Sequence, residues 1–293
     1  MRLRSRYAWV WVVVLSWAGM GTPGTPGPAV PRAGVPTRAA PGGGASEYEV
    51  AVGRSAAREL EQRYGLCQDE KLNARVRRAA APLLRVCGSR TPIVIRVLNS
   101  DEPNGVALPG GFIFVTQGLL RILSEEDLLS AALGHEVAHI ALGHMTEMLR
   151  EYTNARMPRS EGENSEYPRA TGSGVPEPPN SLPPRLEAPK RASVNVVHER
   201  EKEADRAAAR YLRAVGIDPR AVVRLLIRLS EQPELDASNS ETHPTWPERI
   251  RSLEEYLNSP EFRNSGPRAP EALPPAYPRG DLGVPWPLRA PAR

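Results

Sequence analysis

Apolar residues recur along this chain at two spacings, one helical and one strand-like, and the stretches between them carry neither. Val50, Val52, Ala56, Leu60 and Tyr64 mark a first helix over residues 47–64. Leu72, Val76, Leu83 and Val86 continue the helical spacing through "DEKLNARVRRAAAPLLRV", residues 69–86. "TPIVIRVLNS" (91–100) is rich in β-branched residues and ends in turn formers, so it reads as a strand. In "NGVALPGGFIFVTQGLL" (104–120), Pro109-Gly110-Gly111 reads as a turn and Phe112–Thr116 as a second strand, paired with the first in a small sheet. "SEEDLLSAALGHEVAHIALGHMTEMLREY" (124–152) reads as one long, mostly buried helix, through Leu128, Leu129, Ala132, Leu133, Val137, Ile140 and Ala141. Ser124, with Asp127 three residues on, resembles a capping box at its start. "NVVHEREKEADRAAARYLRAVG" (195–216) is the next helix, stopped by Gly216. Asp218 then serves as N-cap and Pro219 as first residue of a helix through "AVVRLLIRLSE", and "HPTWPERIRSLEEYL" (243–257) supplies the last.

The expected architecture is therefore α+β: a mainly helical domain with a small β-sheet, over residues 47–258. The 31 prolines and 24 glycines crowd outside these elements. They mark a linker at 22–46, an insert at 158–190 and a tail at 259–293, all expected to lack fixed structure. There is no internal repeat. Of the net charge of +4, Arg2, Arg4 and Arg6 contribute three, and no basic block stands elsewhere. That argues against nucleic acid as a partner. The same arginines form a basic head before "AWVWVVVLSWAGM", an apolar run short of the roughly 20 residues a membrane span needs. Residues 1–21 thus read as a signal peptide or N-terminal anchor, placing the remainder outside the cytoplasm, periplasmic or secreted. Membrane association is expected through that segment alone. In such a compartment Cys67 and Cys87 could pair. However, a helix between them would hold its ends about 28 Å apart, and a disulfide requires Cα atoms within about 7 Å. The bridge is not expected.

"HEVAH" matches H-E-x-x-H. Four residues turn an α-helix by about 400°, so His135 and His139 project from one face, one turn apart. That geometry suits two imidazole ligands of one tetrahedral zinc. Glu136 would stand beside them and draw a proton from an activated water. In this setting two buried histidines without a ligand would be costly. The third ligand is open. A metzincin would carry glycine and histidine where Leu142 and Met145 stand. On a continuous helix His144 lies about 180° from His135, so it is expected on the helix surface or behind the ligands. The remaining candidates are His198, His243 and the acidic cluster "EREKEAD". In that cluster Glu201 and Asp205 share a helix face, so one could bind metal while the other holds a ligand imidazole.

Four segments together resemble the M48 family of zinc metallopeptidases: "NGVALPGGFIFVTQGLL", "SEEDLLSAALGHEVAHIALGH", "EREKEADRAAARYL" with "GIDP", and "THPTWPERI". Their order spans residues 47–258. The chain departs from that pattern in Gly105-Val106, where an alanine–aromatic pair is common, in His198, where arginine is frequent, and in the proline-rich insert. The resemblance implies a zincin-like gluzincin of the soluble, exported branch, a zinc metalloendopeptidase holding one Zn2+ per chain. It implies His135, His139 and Glu201 as ligands, Glu136 as general base and His243 as oxyanion stabiliser. Asp205 and Arg249 would support the ligands. The implied substrates are unfolded or misassembled proteins, as in envelope quality control. Phe112–Thr116 could serve as an edge to which an extended peptide adds. A different class of function also fits the segments: a chaperone-like binding module whose cleft the insert occludes and whose zinc is structural. That reading needs His198 or His243 as a fourth ligand.

Overall fold

The computed structural model describes residues 44–156, 191–232, 235 and 244–265. The expected signal or anchor segment, nearly all of the expected linker, the insert at 158–190, His243 and most of the expected tail lie outside the described residues.

The chain opens with α1 (Glu47–Tyr64), the span its apolar spacing predicts. Ser46 and Glu49 close a capping box, each side chain satisfying the other's backbone N–H. Helix α2 (Glu70–Val86) follows, capped by Asp69 and carrying Pro82 within it. It holds the cysteines apart, and both are free thiols. Next come β1 (Val94–Leu98), β2 (Gly105–Leu108) and β3 (Phe112–Thr116), with Gly110 at φ 77° in the turn before β3.

The sheet order is β1-β3-β2, with β1 parallel and β2 antiparallel to β3. The expected pairing of 91–100 with 112–116 is thus present, but the sheet has a third strand. "GVAL" is short and begins with glycine, so its signal merged with the turn. Its presence also corrects the expectation that Phe112–Thr116 is an edge. β3 is the central strand, with all five residues buried. Phe112 and Phe114 pack with Ala57, Leu60, Leu98 and Leu108 beside α1. Ile113 and Val115 face the main core with Leu83, Leu129 and Leu133. A continuous apolar run buried on both faces is the mark of an inner strand. β1 and β2 are the edges; residues near Leu66 bridge to the end of β1, and β2 is the edge that runs beside Glu136.

After α3 (Gln117–Ile122), capped by the Thr116 hydroxyl, the predicted long helix appears as two: α4 (Glu126–Ala141) and α5 (His144–Arg156). The break falls at Gly143, whose φ of 79° lies in the left-handed region that glycine adopts without penalty. Ser124 is not the cap either. The N-cap is Glu125, which makes no side-chain cap bond. The Leu123 and Ser124 carbonyls instead accept from the Arg75 guanidinium.

Helix α6 (Arg191–Ala214) makes the most extensive contact with α4. Small residues allow the approach: Gly134 lies against Ala208, with the position of a Cβ on it 3.5 Å from the Ala208 Cβ. Ala131, Ala138, Ala204, Ala207 and Ala208 are buried around this contact. Gly216, at φ 81°, ends α6 as expected. Asp218 accepts from the Arg220 N–H at 2.9 Å, but α7 (Ala221–Ser230) starts beyond it, with Arg220 as N-cap. α8 (Trp246–Asn258) is capped by Thr245 and Glu248. The ordered chain runs past Asn258 into α9 (Pro260–Asn264), because Ser259 caps a further turn and Phe262 is buried against the core. Those residues were expected to belong to a structureless tail.

Candidate metal centre

The tight α4–α6 contact sets the α6 carboxylates over the two histidines of α4. His135 Nε2 and His139 Nε2 are 3.1 Å apart. Glu201 Oε2 is 3.5 Å from the first and Oε1 3.5 Å from the second. All three side chains are buried, and they form the one group of potential metal donors found among the described residues. A tetrahedral ion with bonds of about 2.0–2.1 Å places its ligand atoms about 3.4 Å apart. The observed separations lie close to that value, with a different Glu201 oxygen nearest each imidazole. Glu201 Oε2 is also buried without a hydrogen-bond partner, although Arg249 Nη1 is 3.1 Å away. The donor set and its spacing therefore suit a dication.

The surrounding charges hold this set in place. His135 Nδ1 lies 3.0 Å from Asp205 Oδ1, which leaves Nε2 turned to the cluster. Arg249 donates from Nε and Nη2 to both oxygens of Asp205, at 2.9 and 2.7 Å. Burial opposes charge on Glu201, but Arg249 and both imidazoles outweigh it and hold the carboxyl well below its usual range. Asp205 is lowered in the same way, against burial, by Arg249 and His135. Burial alone would depress His135; the bonds to Asp205 and Glu201 lift it to about 9. His139 lacks a carboxylate on its far nitrogen, and burial drives it well below the ordinary histidine value.

Glu136 is buried next to the cluster without belonging to it. Burial raises its carboxyl to about 7, against a lowering from His135, and the Ala107 backbone N–H also favours its charged form. Oε1 accepts no hydrogen bond. It looks onto β2 at Gly105, where an added Cβ would stand 3.1 Å from it. The carboxylate thus has a free lone pair beside a strand that passes close by.

The sequence candidates divide clearly. His135, Glu136, His139, Glu201, Asp205 and Arg249 come together; His198 is half-buried and is not part of the donor group. His198 lies close enough to Glu248 for its charge to lower that carboxyl, chiefly set by bonds from Thr245. His243 lies outside the described residues, and the donor group found among the described residues has three members. Two features were not legible in the sequence: the β2 backbone alongside Glu136, hidden because "GVAL" is too short to show alternation, and Arg200, which joins α6 to Glu147 and Glu151 of α5 at 3.0 and 2.6 Å. The run "EREKEAD" pointed to Glu201 and Asp205 as candidates but gave no sign of a role for Arg200.

Residues 67–257 match peptidase family M48. The chain belongs to that family. M48 peptidases depend on a metal, and the three-donor group sits in the matched region. The chain is 24% identical over 222 residues to the beta-barrel assembly-enhancing protease of Yersinia pestis, across 72% of this chain and 44% of that protein. It is 24% identical over 217 residues to the protein of that name from Escherichia coli K12, with the same coverage of 72% and 44%. It is 25% identical over 226 residues to the mitochondrial metalloendopeptidase OMA1 of Schizosaccharomyces pombe, across 72% of this chain and 61% of that protein. The M48 chain described here therefore spans about half the length of these relatives.

Proposed function

We propose that this chain is a zinc metalloendopeptidase that cuts extended stretches of unfolded or misassembled proteins outside the cytoplasm. The observation that carries the reading is the spacing of His135, His139 and Glu201, which suits one tetrahedral ion, with Glu136 beside it and uncoordinated. The described residues supply three donors, the number a catalytic zinc site uses; His243, which a structural site with four ligands would need, lies outside them.

Zinc bound by this trio would supply Lewis-acid polarisation of a carbonyl and of an attacking water. The chain's own groups handle the protons. Glu136 takes the water proton on its free oxygen and passes it to the leaving amine. Its value near 7 suits both steps, and a cation close by favours the ionised form. Asp205 fixes His135 with the proton on Nδ1, and Arg249 fixes Asp205. His243 would share the charge that develops on the substrate oxygen.

Substrate backbone is held along β2. The Thr116 N–H donates to the Asn104 carbonyl at 3.0 Å. With Val106 opposite Phe114, the alternation of an antiparallel ladder turns Gly105 and Ala107 away from β3; the Ala107 N–H meets Glu136, which leaves the Gly105 groups and the Ala107 carbonyl on the outer side. An extended peptide added at that edge would be bound through its backbone, with little demand on sequence. The N-terminal apolar segment is the basis for export. It lies outside the described residues, none of whose helices is long and apolar enough to cross a membrane.

The purified chain is expected to hydrolyse unfolded casein, to stop after the metal is chelated, and to recover with one equivalent of zinc. Cleavage by the metal-free protein would refute the mechanism. A zinc-loaded protein that binds casein without cutting it would favour the binding module instead. Glu201→Ala is expected to remove most bound zinc in a metal determination, since it deletes a ligand outright. Full occupancy in that variant would displace Glu201 from the ligand set.

A further inference from the structure

The two histidines of the donor group have unequal supports. Behind His135 stands Asp205, buried and clamped by Arg249. Behind His139 stands a second imidazole: His144 Nδ1 is 3.1 Å from His139 Nδ1. The other nitrogen of His144 lies 3.2 Å from Glu203 Oε2, on a side chain 56% exposed. His144 itself is only 2% exposed.

This contact exists because the chain breaks its helix at Gly143. Five residues of continuous helix would set His144 about 140° round from His139. Instead, α4 ends with the Leu142 N–H on the Ala138 carbonyl, and Gly143 at φ 79° redirects the chain. α5 then starts with His144 behind His139. Arg200 ties α5 back to α6 through Glu147 and Glu151, next in sequence to Glu201. The break sets His144 against His139, and the tie joins α5 to α6.

The proton arrangement follows from valence. If the His139 Nε2 lone pair faces the donor group, the ring proton is on Nδ1. That N–H must then donate to His144 Nδ1, which accepts. The His144 proton is left on Nε2, from which it donates to Glu203. Each ring carries one proton, and the chain ends on a carboxylate at the surface.

We propose that His144 is a positioning residue for the metal ligand His139: it accepts from Nδ1, fixes the ring's rotation and tautomer, and passes the bond on to Glu203. This rests on reading His135, His139 and Glu201 as the metal ligands. Groups that orient a metal-bound histidine typically contribute 10–100-fold to metal affinity.

The test is zinc affinity by chelator competition, together with the visible absorption of the cobalt-loaded protein, in the full chain. His144→Leu fills the site without an acceptor. His144→Asn places an amide oxygen near the position of Nδ1. Expected are a roughly 10–100-fold loss of affinity and an altered cobalt spectrum for His144→Leu, with most of the affinity regained in His144→Asn. Glu203→Ala, a change at an exposed side chain, is expected to give a smaller loss with an unchanged melting temperature. Leucine and asparagine variants that are equally weak would mean that ring packing, not the hydrogen bond, matters, and would overturn the proposal. So would a leucine variant that binds zinc like the wild type. If His144→Leu does not fold, the comparison moves to Glu203→Ala, where unchanged affinity refutes the relay and reduced affinity sustains it. A wild-type chain that takes up no metal would instead sink the metallopeptidase reading itself.

Discussion

Glutamine at position 136 is expected to leave the metal in place and to slow casein hydrolysis by about 10²–10⁴-fold, the range a positioned general base contributes. Glu136 is outside the three-donor group, so its replacement removes no ligand. Glutamine has the same shape and keeps an oxygen that the Ala107 N–H can meet, but it cannot take a proton. The change is also not expected to weaken the fold. Burial lifts the Glu136 carboxyl to about 7, above its free value, so at pH 8 its charge costs stability in the metal-free protein. A neutral amide removes that cost. Zinc content, kcat and the melting temperature of the metal-free protein measured together settle the point. Lost zinc would make Glu136 a ligand, and undiminished kcat would remove it from the chemistry.

Arg249→Leu is expected to act on the fold before it acts on the reaction. The guanidinium is buried and supplies the cation for two buried carboxylates, bonding Asp205 through Nε and Nη2 and approaching Glu201 with Nη1 at 3.1 Å. Both carboxyls are held low against burial, with Arg249 the main lowering influence. Removing one partner of a buried charge cluster costs about 3–5 kcal/mol. In a domain of this size each kcal/mol moves the melting temperature by about 2–4 °C, so a fall of about 6–20 °C is expected for the metal-free variant. Zinc brings positive charge to Glu201 and should narrow the gap between variant and wild type. Melting curves with and without zinc decide. A metal-free variant that melts with the wild type would show that the cluster does not depend on this arginine, and a gap that widens on zinc loading would reverse the assigned electrostatics.

Much of this molecule was legible in its residues. The apolar spacing of 47–64 and 69–86 gave helices that form over nearly those spans, because capping groups at Ser46 and Asp69 agree with the pattern. H-E-x-x-H on an apolar helix was legible for a different reason. The relative placement of residues one turn apart is fixed by the helix itself, whatever packs on it. The misreadings share a cause. At 124–152 helical preference runs through Leu142-Gly143 and hides a break that only the packing of α5 on its neighbours requires. At 105–108 a four-residue strand has too few positions to show alternation, and its partner β3 makes it a strand. At 260–264 a proline-rich context concealed a capped turn with a buried Phe262.

What the sequence determined by itself is therefore local: the helices, the two imidazoles on one face, the glutamate beside them, and, sixty residues on, two carboxylates sharing a helix face, among which the family resemblance singled out Glu201 as ligand. Only the tertiary structure decided that a Glu201 oxygen stands 3.5 Å from each imidazole, that Arg249 backs Asp205, that edge strand β2 passes beside Glu136, and that His144 Nδ1 comes within 3.1 Å of His139 Nδ1. The physical reason is range. Periodicity fixes neighbours within about one helical turn, whereas the joining of α4 to α6 depends on how closely Gly134 and Ala208 let two backbones approach, and no local rule contains that distance.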